Sequence, residues 1–393
     1  MPLIVGTNAI DCMDKQRPSP HEPPAKGAQT ATSQRTFALN EELFAHFTDS
    51  VVRESPTFAS RKINLKKTED MKPLHTSWTL VVLLAFCWVA TTARAQEEGA
   101  RPTPAPERTD WMGALPDAFA MCKLSLPGTH DSGARLGGPA LQTQDTDIPA
   151  QLQQGIRAFD IRLQAKDGRL GVFHSTAFQQ IYWETDVLPA FIRFLQEHPT
   201  EVLVVSLKRE GGAPEAYAAR LAASLELEAN RAYFVEDFHP ALTLGDCRGK
   251  ILFLHRDVAT DRYPGAACSG WADDATCVLT LRGKDGREGH ALLQDEYQYT
   301  SDQESAEKIA ACTRNLAALA AEPEASRRWG ISFASATGLP DGTPKAFADQ
   351  VNPALADWLA RQGGSKRGIV FIDFIAQEGG RQLVSLLIDG NFR

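Results

Sequence analysis

From residue 121 onward, short apolar runs alternate with longer segments of helical spacing. MCKLSL (121–126), IRAFDIRL (156–163), RLGVFH (169–174), EVLVVSLK (201–208), AYFV (232–235), GKILFLHR (249–256), GISFAS (330–335) and GIVFIDFI (368–375) read as strands, and HALLQDEY (290–297) as the end of another. EVLVVSLK is almost continuously apolar, as expected of a strand covered on both faces. Between them, IPAQLQQG (148–155), ETDVLPAFIRFLQEHP (184–199), PEAYAARLAASLEL (214–227), SAEKIAACTRNLAALAAE (305–322), PALADWLARQG (353–363) and EGGRQLVSLLIDG (378–390) carry the helical period. Gly155 suits a helix C-cap, and Pro199 a stop just past a helix end. Repeated βα units of this size predict an α/β fold with parallel strands closed into a TIM-type barrel. Long loops and missing helices make the expected barrel irregular. A doubly wound open sheet is the competitor, but no GxGxxG or Walker loop supports nucleotide binding. One domain is expected over 111–393, with no internal repeat.

The first 110 residues break the pattern. The segment MKPLHTSWTLVVLLAFCWVATTARAQEEGA starts at Met71 with a short basic stretch. It continues through an apolar run from Trp78 to Ala90 and reaches the small-residue site Ala93-Arg94-Ala95. That is the form of a secretory signal peptide over 71–95, and the apolar run is short of the roughly 20 residues a membrane span needs. Residues 1–70 are polar and Pro-rich early, and are expected to be a non-native or disordered extension ahead of Met71 as initiator. A cytoplasmic extension on a membrane-anchored protein is the alternative. Residues 96–110 read as a charged, Pro-rich linker. The expected location is secreted, extracellular or periplasmic.

Composition narrows the partners. The 393-residue chain is 43% hydrophobic and 23% charged, with a formal net charge of -8. An acidic protein has no general attraction for nucleic acid and gains little from anionic headgroups, so any membrane contact must be local and apolar. A monomer is expected. Cys122, Cys247, Cys268, Cys277 and Cys312 follow the leader, and Cys268 with Cys277 brackets a short polar loop that a disulfide could close after export. There is no CxxC, no HExxH and no paired Cys/His spacing, so a structural zinc site is not expected.

In a barrel, active residues sit at the C-terminal strand ends. There the predicted strands carry His130 and Asp131, Arg162, His174, Lys208, Arg256, Asp295 and Asp373. Two histidines can serve as acid and base near neutral pH, carboxylates can fix their tautomers, and an arginine can clamp a phosphate bidentately. That set suits phosphodiester cleavage.

SLPGTHDSG, GIRAFDIR, GVFHS and HPTEVLVVSLKRE, in this order, resemble the catalytic X region of bacterial phosphatidylinositol-specific phospholipase C. The likeness continues through LGDCRGKILFLHR, LLQDEYQ, ISFASATG and GIVFIDFIA, over most of residues 120–376. The resemblance implies a distorted TIM barrel and transient contact with phosphatidylinositol in membranes. It also implies intramolecular attack by the inositol 2-hydroxyl, giving diacylglycerol and inositol 1,2-cyclic phosphate. By the same resemblance His130 is the general base, oriented by Asp373. His174 is the general acid, with Asp131 as partner. Arg162 binds the phosphate, and Lys208, Arg256, Asp295 and Tyr297 line the inositol pocket. No cofactor is expected, and a guanidinium at Arg162 implies metal independence, although Asp160 shares its face. The chain departs from the family pattern at Ser175-Thr176, at Phe374, and in the segment after THDS, which lacks a rim tryptophan. Tyr263 and Trp271 could supply membrane contact or simply cover the barrel. Another phospholipid, a soluble glycerol or inositol phosphodiester, or non-catalytic lipid binding are the rival readings.

Overall fold

A computed structural model describes residues 108–257, 263–362 and 366–392. The expected N-terminal extension, the signal peptide and most of the expected linker lie outside the described residues. The last linker positions do not: a turn of 3-10 helix runs Arg108–Ala114, buries Trp111 and Met112, and starts the folded unit.

Eleven strands form one sheet: β1 (Ser125–Thr129), β2 (Ala158–Lys166), β3 (Arg169–His174), β4 (Ala177–Tyr182), β5 (Leu203–Arg209), β6 (Ile251–His255), β7 (Ala266–Ser269), β8 (Thr276–Arg282), β9 (Glu288–Gln294), β10 (Trp329–Phe333) and β11 (Gly368–Ile372). Pairing of β1 with both β2 and β11 closes the barrel in the order β1, β2, β5, β6, β7, β8, β9, β10, β11. Its staves are parallel except β8, which runs antiparallel to both neighbours. The hairpin β3–β4 pairs with the extension of β2 and is not a stave. The longer helices are α1 (Ile148–Gln153), α2 (Leu188–Glu197), α3 (Pro214–Leu225), α4 (Ser305–Ala320), α5 (Pro344–Arg361) and α6 (Glu378–Asp389). Long connections replace helices between β6 and β9, where β7 and β8 form a hairpin instead. The barrel is irregular for that reason. Among the described residues no helix is long and apolar enough to cross a membrane.

The local differences from the sequence reading have physical causes. The strand read at 121–126 begins at Ser125, because Met121–Lys123 is a 3-10 turn. It then runs through Pro127-Gly128, which the pattern marked as its stop. Gly128 is there for closeness: a Cβ would lie 2.9 Å from both the Ala158 side chain and the Phe371 ring. The segment 232–235 forms only an isolated bridge, Phe234 to Ile251. Helix α5 begins nine residues before the predicted Pro353. Thr343 caps it, with its side chain accepting from the Ala346 N–H, and Pro344 fills the first turn. Strands β4, β7 and β8 were not foreseen; β4 and β8 are half exposed and show little apolar signal. The Cys268–Cys277 disulfide does not form, and both thiols are free. The β7–β8 register sets Leu281, not Cys277, opposite Cys268.

At the bottom of the barrel, Arg157 and Glu201 form a fully buried ion pair, Nε to Oε2 2.8 Å. Arg157 also donates to the Leu152 and Ile156 carbonyls. Removing one member of such a pair strands the other. Glu201→Ala is therefore expected to destabilise the fold by about 3–5 kcal/mol, read from the urea midpoint, with catalysis per folded molecule unchanged.

Candidate active site

The barrel mouth is built from strand ends. His130 and Asp131 follow β1, Asp160 and Arg162 alternate onto one face of β2, and Lys208 and Glu210 do the same at the end of β5. Arg256 follows β6, Asp295 follows β9, and Asp373 follows β11. A cavity of about 270 Å³ opens among His130, Arg162, His174, Lys208, Glu210, Arg256, Asp273, Asp295, Tyr297 and Asp373. All nine sequence-derived candidates thus gather at one mouth; Asp131 lies just beneath it, fully buried.

His174 arrives by a different route. It ends β3, which is not a stave. Strand β2 overshoots the mouth to Lys166, turns at Asp167-Gly168, and β3 returns antiparallel with Val172 opposite Leu163. Two residues later the strand ends at His174. Its Nε2 lies 3.6 Å from Asp131 Oδ2.

The rings of His130 and His174 meet edge to face, with centroids 6.2 Å apart. Hydrogen bonding fixes both tautomers. Arg162 Nη2 lies 2.6 Å from His130 Nε2. A guanidinium only donates, so Nε2 accepts, and the ring proton sits on Nδ1. That Nδ1–H donates to Asp373 Oδ1 at 2.9 Å. His174 Nδ1 lies 2.6 Å from the Leu141 carbonyl. A carbonyl only accepts, so Nδ1 again carries hydrogen and Nε2 is left to take up or release a proton.

Charge is dense here. Arg162 contacts Asp160 Oδ2 through Nε and Nη2, both at 3.1 Å, and Asp131 Oδ2 at 3.3 Å. Burial works against ionisation of Asp160. The attraction of Arg162, Arg256 and Lys208 outweighs it and holds the carboxyl far below the usual range. Asp131 behaves oppositely: burial pushes it up to about 6, even with His174 and Arg162 beside it. Burial and the Arg162 charge hold the His130 imidazole well below its ordinary value, so the ring is neutral at pH 7. Burial, reinforced by Asp131, raises Asp373.

The far wall is a clasp. Arg256 stacks over the Trp271 ring at 3.8 Å, and Trp271 Nε1 donates to Asp295 Oδ2 at 2.8 Å. Tyr297 points its hydroxyl at Asp273 Oδ1, 3.2 Å away. Trp271 is thus partly buried against the core, in contact with two cavity residues, and Tyr263 is buried with its hydroxyl on the Ala218 carbonyl. Of the two readings for these aromatics, the structure has them covering the barrel.

No family model matches the chain. Curated relatives do. The chain is 27% identical over 308 residues to 1-phosphatidylinositol phosphodiesterase of Staphylococcus aureus strain Newman, covering 72% of this chain and 94% of the relative. It is 34% identical over 154 residues to the Listeria monocytogenes enzyme of the same name, covering 37% of this chain and 47% of that one. A solved variant of phosphatidylinositol-specific phospholipase C from Staphylococcus aureus superposes with a TM-score of 0.64 at 25% identity, over 72% of this chain and 97% of that chain. The Listeria monocytogenes phospholipase C gives 0.58 at 25% identity, over 72% and 98%. In sequence and in fold the chain is similar to bacterial phosphatidylinositol-specific phospholipases C.

The site also holds residues that the sequence pattern did not mark. Glu210 bonds the Ser175 N–H at 2.9 Å and Lys208 at 3.1 Å. Its position two after Lys208 was the available signal, since both then share one face of β5. Asp273 comes from a loop with no pattern to mark it. Three residues at or beside site positions hold left-handed backbone without being glycine: Asp131 (φ +40°), Ser175 (φ +53°) and Phe374 (φ +51°). Such strain is kept only where the surroundings over-determine it.

Proposed function

We propose that the chain is a phosphatidylinositol-specific phospholipase C, exported behind the leader at 71–95, that releases diacylglycerol and inositol 1,2-cyclic phosphate. The observation carrying this reading is the two imidazoles, 6.2 Å apart and flanking one guanidinium at the barrel mouth.

His130 is the base. It is neutral, its Nε2 lone pair faces the cavity, and its Nδ1–H is held by Asp373. It takes the proton of the inositol 2-hydroxyl as that oxygen attacks phosphorus. Arg162, whose Nη2 lies against that Nε2, turns to bind the phosphoryl oxygens, and its planar fork suits two of them. His174 gives its Nε2 proton to the departing glycerol oxygen, and Asp131 stabilises its charged form. The nucleophile belongs to the substrate, so orientation is worth much: up to about 7–11 kcal/mol in well-aligned intramolecular reactions. Lys208, Arg256, Asp295 and Tyr297 supply donors, acceptors and a ring face to seat the inositol. A guanidinium beside the phosphate supplies the positive charge that a cation would bring and repels one, which supports turnover without metal.

The test is the purified protein on phosphatidylinositol vesicles with and without chelator. Cyclic inositol phosphate formed equally in both is expected. No turnover, or turnover lost in chelator, overturns the reading.

Asp131 also gives the reaction a pH dependence. Its carboxyl, raised to about 6, must be ionised to support charged His174. The kcat/KM profile should therefore climb through about pH 6 and fall away below it. Asp131→Asn should remove that limb and leave a lower rate, measured from pH 4.5 to 8.

A further inference from the structure

One segment of the loop between β1 and α1 touches the backbone around every member of the acid–base set. The Leu141 carbonyl takes the His174 Nδ1–H at 2.6 Å. Thr143 Oγ1 lies 3.1 Å from the Asp131 carbonyl and 3.3 Å from that of His130, and the Thr143 carbonyl accepts from the Phe374 N–H at 2.8 Å. Gln144 is completely buried and spends both amide hydrogens on main chain: Nε2 donates to the His130 carbonyl and to the Ile372 carbonyl, each at 2.9 Å.

Those last two carbonyls belong to neighbouring strands. His130 and Ile372 stand beside each other where β1 and β11 end, and the His130 N–H also donates to the Ile372 carbonyl at 3.1 Å. Asp373 is the next residue along. One carboxamide therefore clamps the main chain that carries the base to the main chain that carries its carboxylate. Beside that clamp, Asp131 and Phe374 hold left-handed backbone, and Thr143 bonds the main chain of both.

We propose that Gln144 is a positioning residue for the reaction: it fixes His130 against Asp373 while its own segment, through the Leu141 carbonyl, fixes His174 against both. Gln144 touches no reacting atom; the cavity is lined by Leu141 of this segment, and not by Thr143 or Gln144. The loop is thus a common ruler between an acid carried on the hairpin and a base carried on the barrel. This rests on the reading of His130 and His174 as base and acid.

Gln144→Met keeps the length and loses both donors. Misplacing a reacting group by about an ångström can cost on the order of 100-fold in rate, so kcat is expected to fall by about 10- to 100-fold with KM unchanged. A ¹⁵N spectrum of the histidine rings supplies a readout that a merely structural residue would not move. The parent protein should show His130 protonated at Nδ1, and the variant a mixture of tautomers. Thr143→Val, of nearly the same volume, should shift both readouts the same way to a smaller extent, and it carries the test if Gln144→Met does not fold. A folded Gln144→Met with parental kcat overturns the proposal. So does a lowered kcat with an unchanged His130 ring spectrum, or a Thr143→Val variant parental in both. His130→Ala is measured alongside: if it keeps activity, the functional reading itself fails, whatever Gln144 does.

Discussion

His130→Ala and His174→Ala are each expected to lower kcat by about 10²- to 10⁴-fold, the range for losing a positioned acid or base. Both side chains sit at the cavity with 14% of their surface exposed, so neither replacement opens the core. Their effects on stability should differ. Deleting the His174 ring frees a carbonyl at the rim, where water can replace it. Deleting the His130 ring leaves Asp373, 1% exposed, without the donor to Oδ1. His130→Ala should therefore melt lower than His174→Ala, while both remain folded by circular dichroism. The double variant should be little worse than either single one, because acid and base serve one transition state and their losses do not add. Substantial turnover in either single variant would end the assignment of roles.

Arg162→Met carries the second large effect, and it acts on two properties at once. Removing a charged donor from a developing oxyanion costs about 10²–10³ in kcat. The same change strands Asp131 and Asp160, both fully buried, beside a neutral side chain. Breaking a buried ion pair from one side costs about 3–5 kcal/mol, so the urea midpoint should drop as well. The sign of the pH effect follows. Arg162 lowers the Asp131 carboxyl from where burial alone would put it, so without the guanidinium Asp131 should titrate above its present value of about 6. The acid limb of kcat/KM should then move to higher pH in Arg162→Met. Arg162→Lys should keep most of the stability and the position of that limb but lose rate, because an ammonium cannot reproduce the two-pronged contact. Equal rates for Arg162→Lys and the parent would rule out bidentate phosphate binding.

The barrel was legible because most of its staves are buried on both faces and largely apolar, as in LVVSL of β5 and GIVFI of β11. Strands β4 and β8 were missed for the complementary reason: each has a wet side, and the alternation is interrupted by Gln179 and Gln180 in β4 and by the exposed Val278 in β8. The candidate residues could be read because strand ends are where a barrel displays polar groups. Their mutual geometry could not. Nothing in GVFHS says that His174 rides on a hairpin, and nothing in LQTQDTD says that Gln144 clamps two strands by their carbonyls. Those facts depend on register and on main-chain hydrogen bonds, which side-chain patterns do not record. The disulfide expectation failed on register too, since nine residues of spacing cannot reveal which partner a hairpin sets opposite.

The barrel closes from β1 to β2 without help from β3–β4. His174, the proposed proton donor, thus rides on a side arm, while His130, Arg162 and the Arg256–Asp295 wall belong to the closed ring. The arm is nonetheless packed into the fold: Leu170 and Val172 of β3 are fully buried in the core, so the placement of His174 is tied to the stability of the whole barrel.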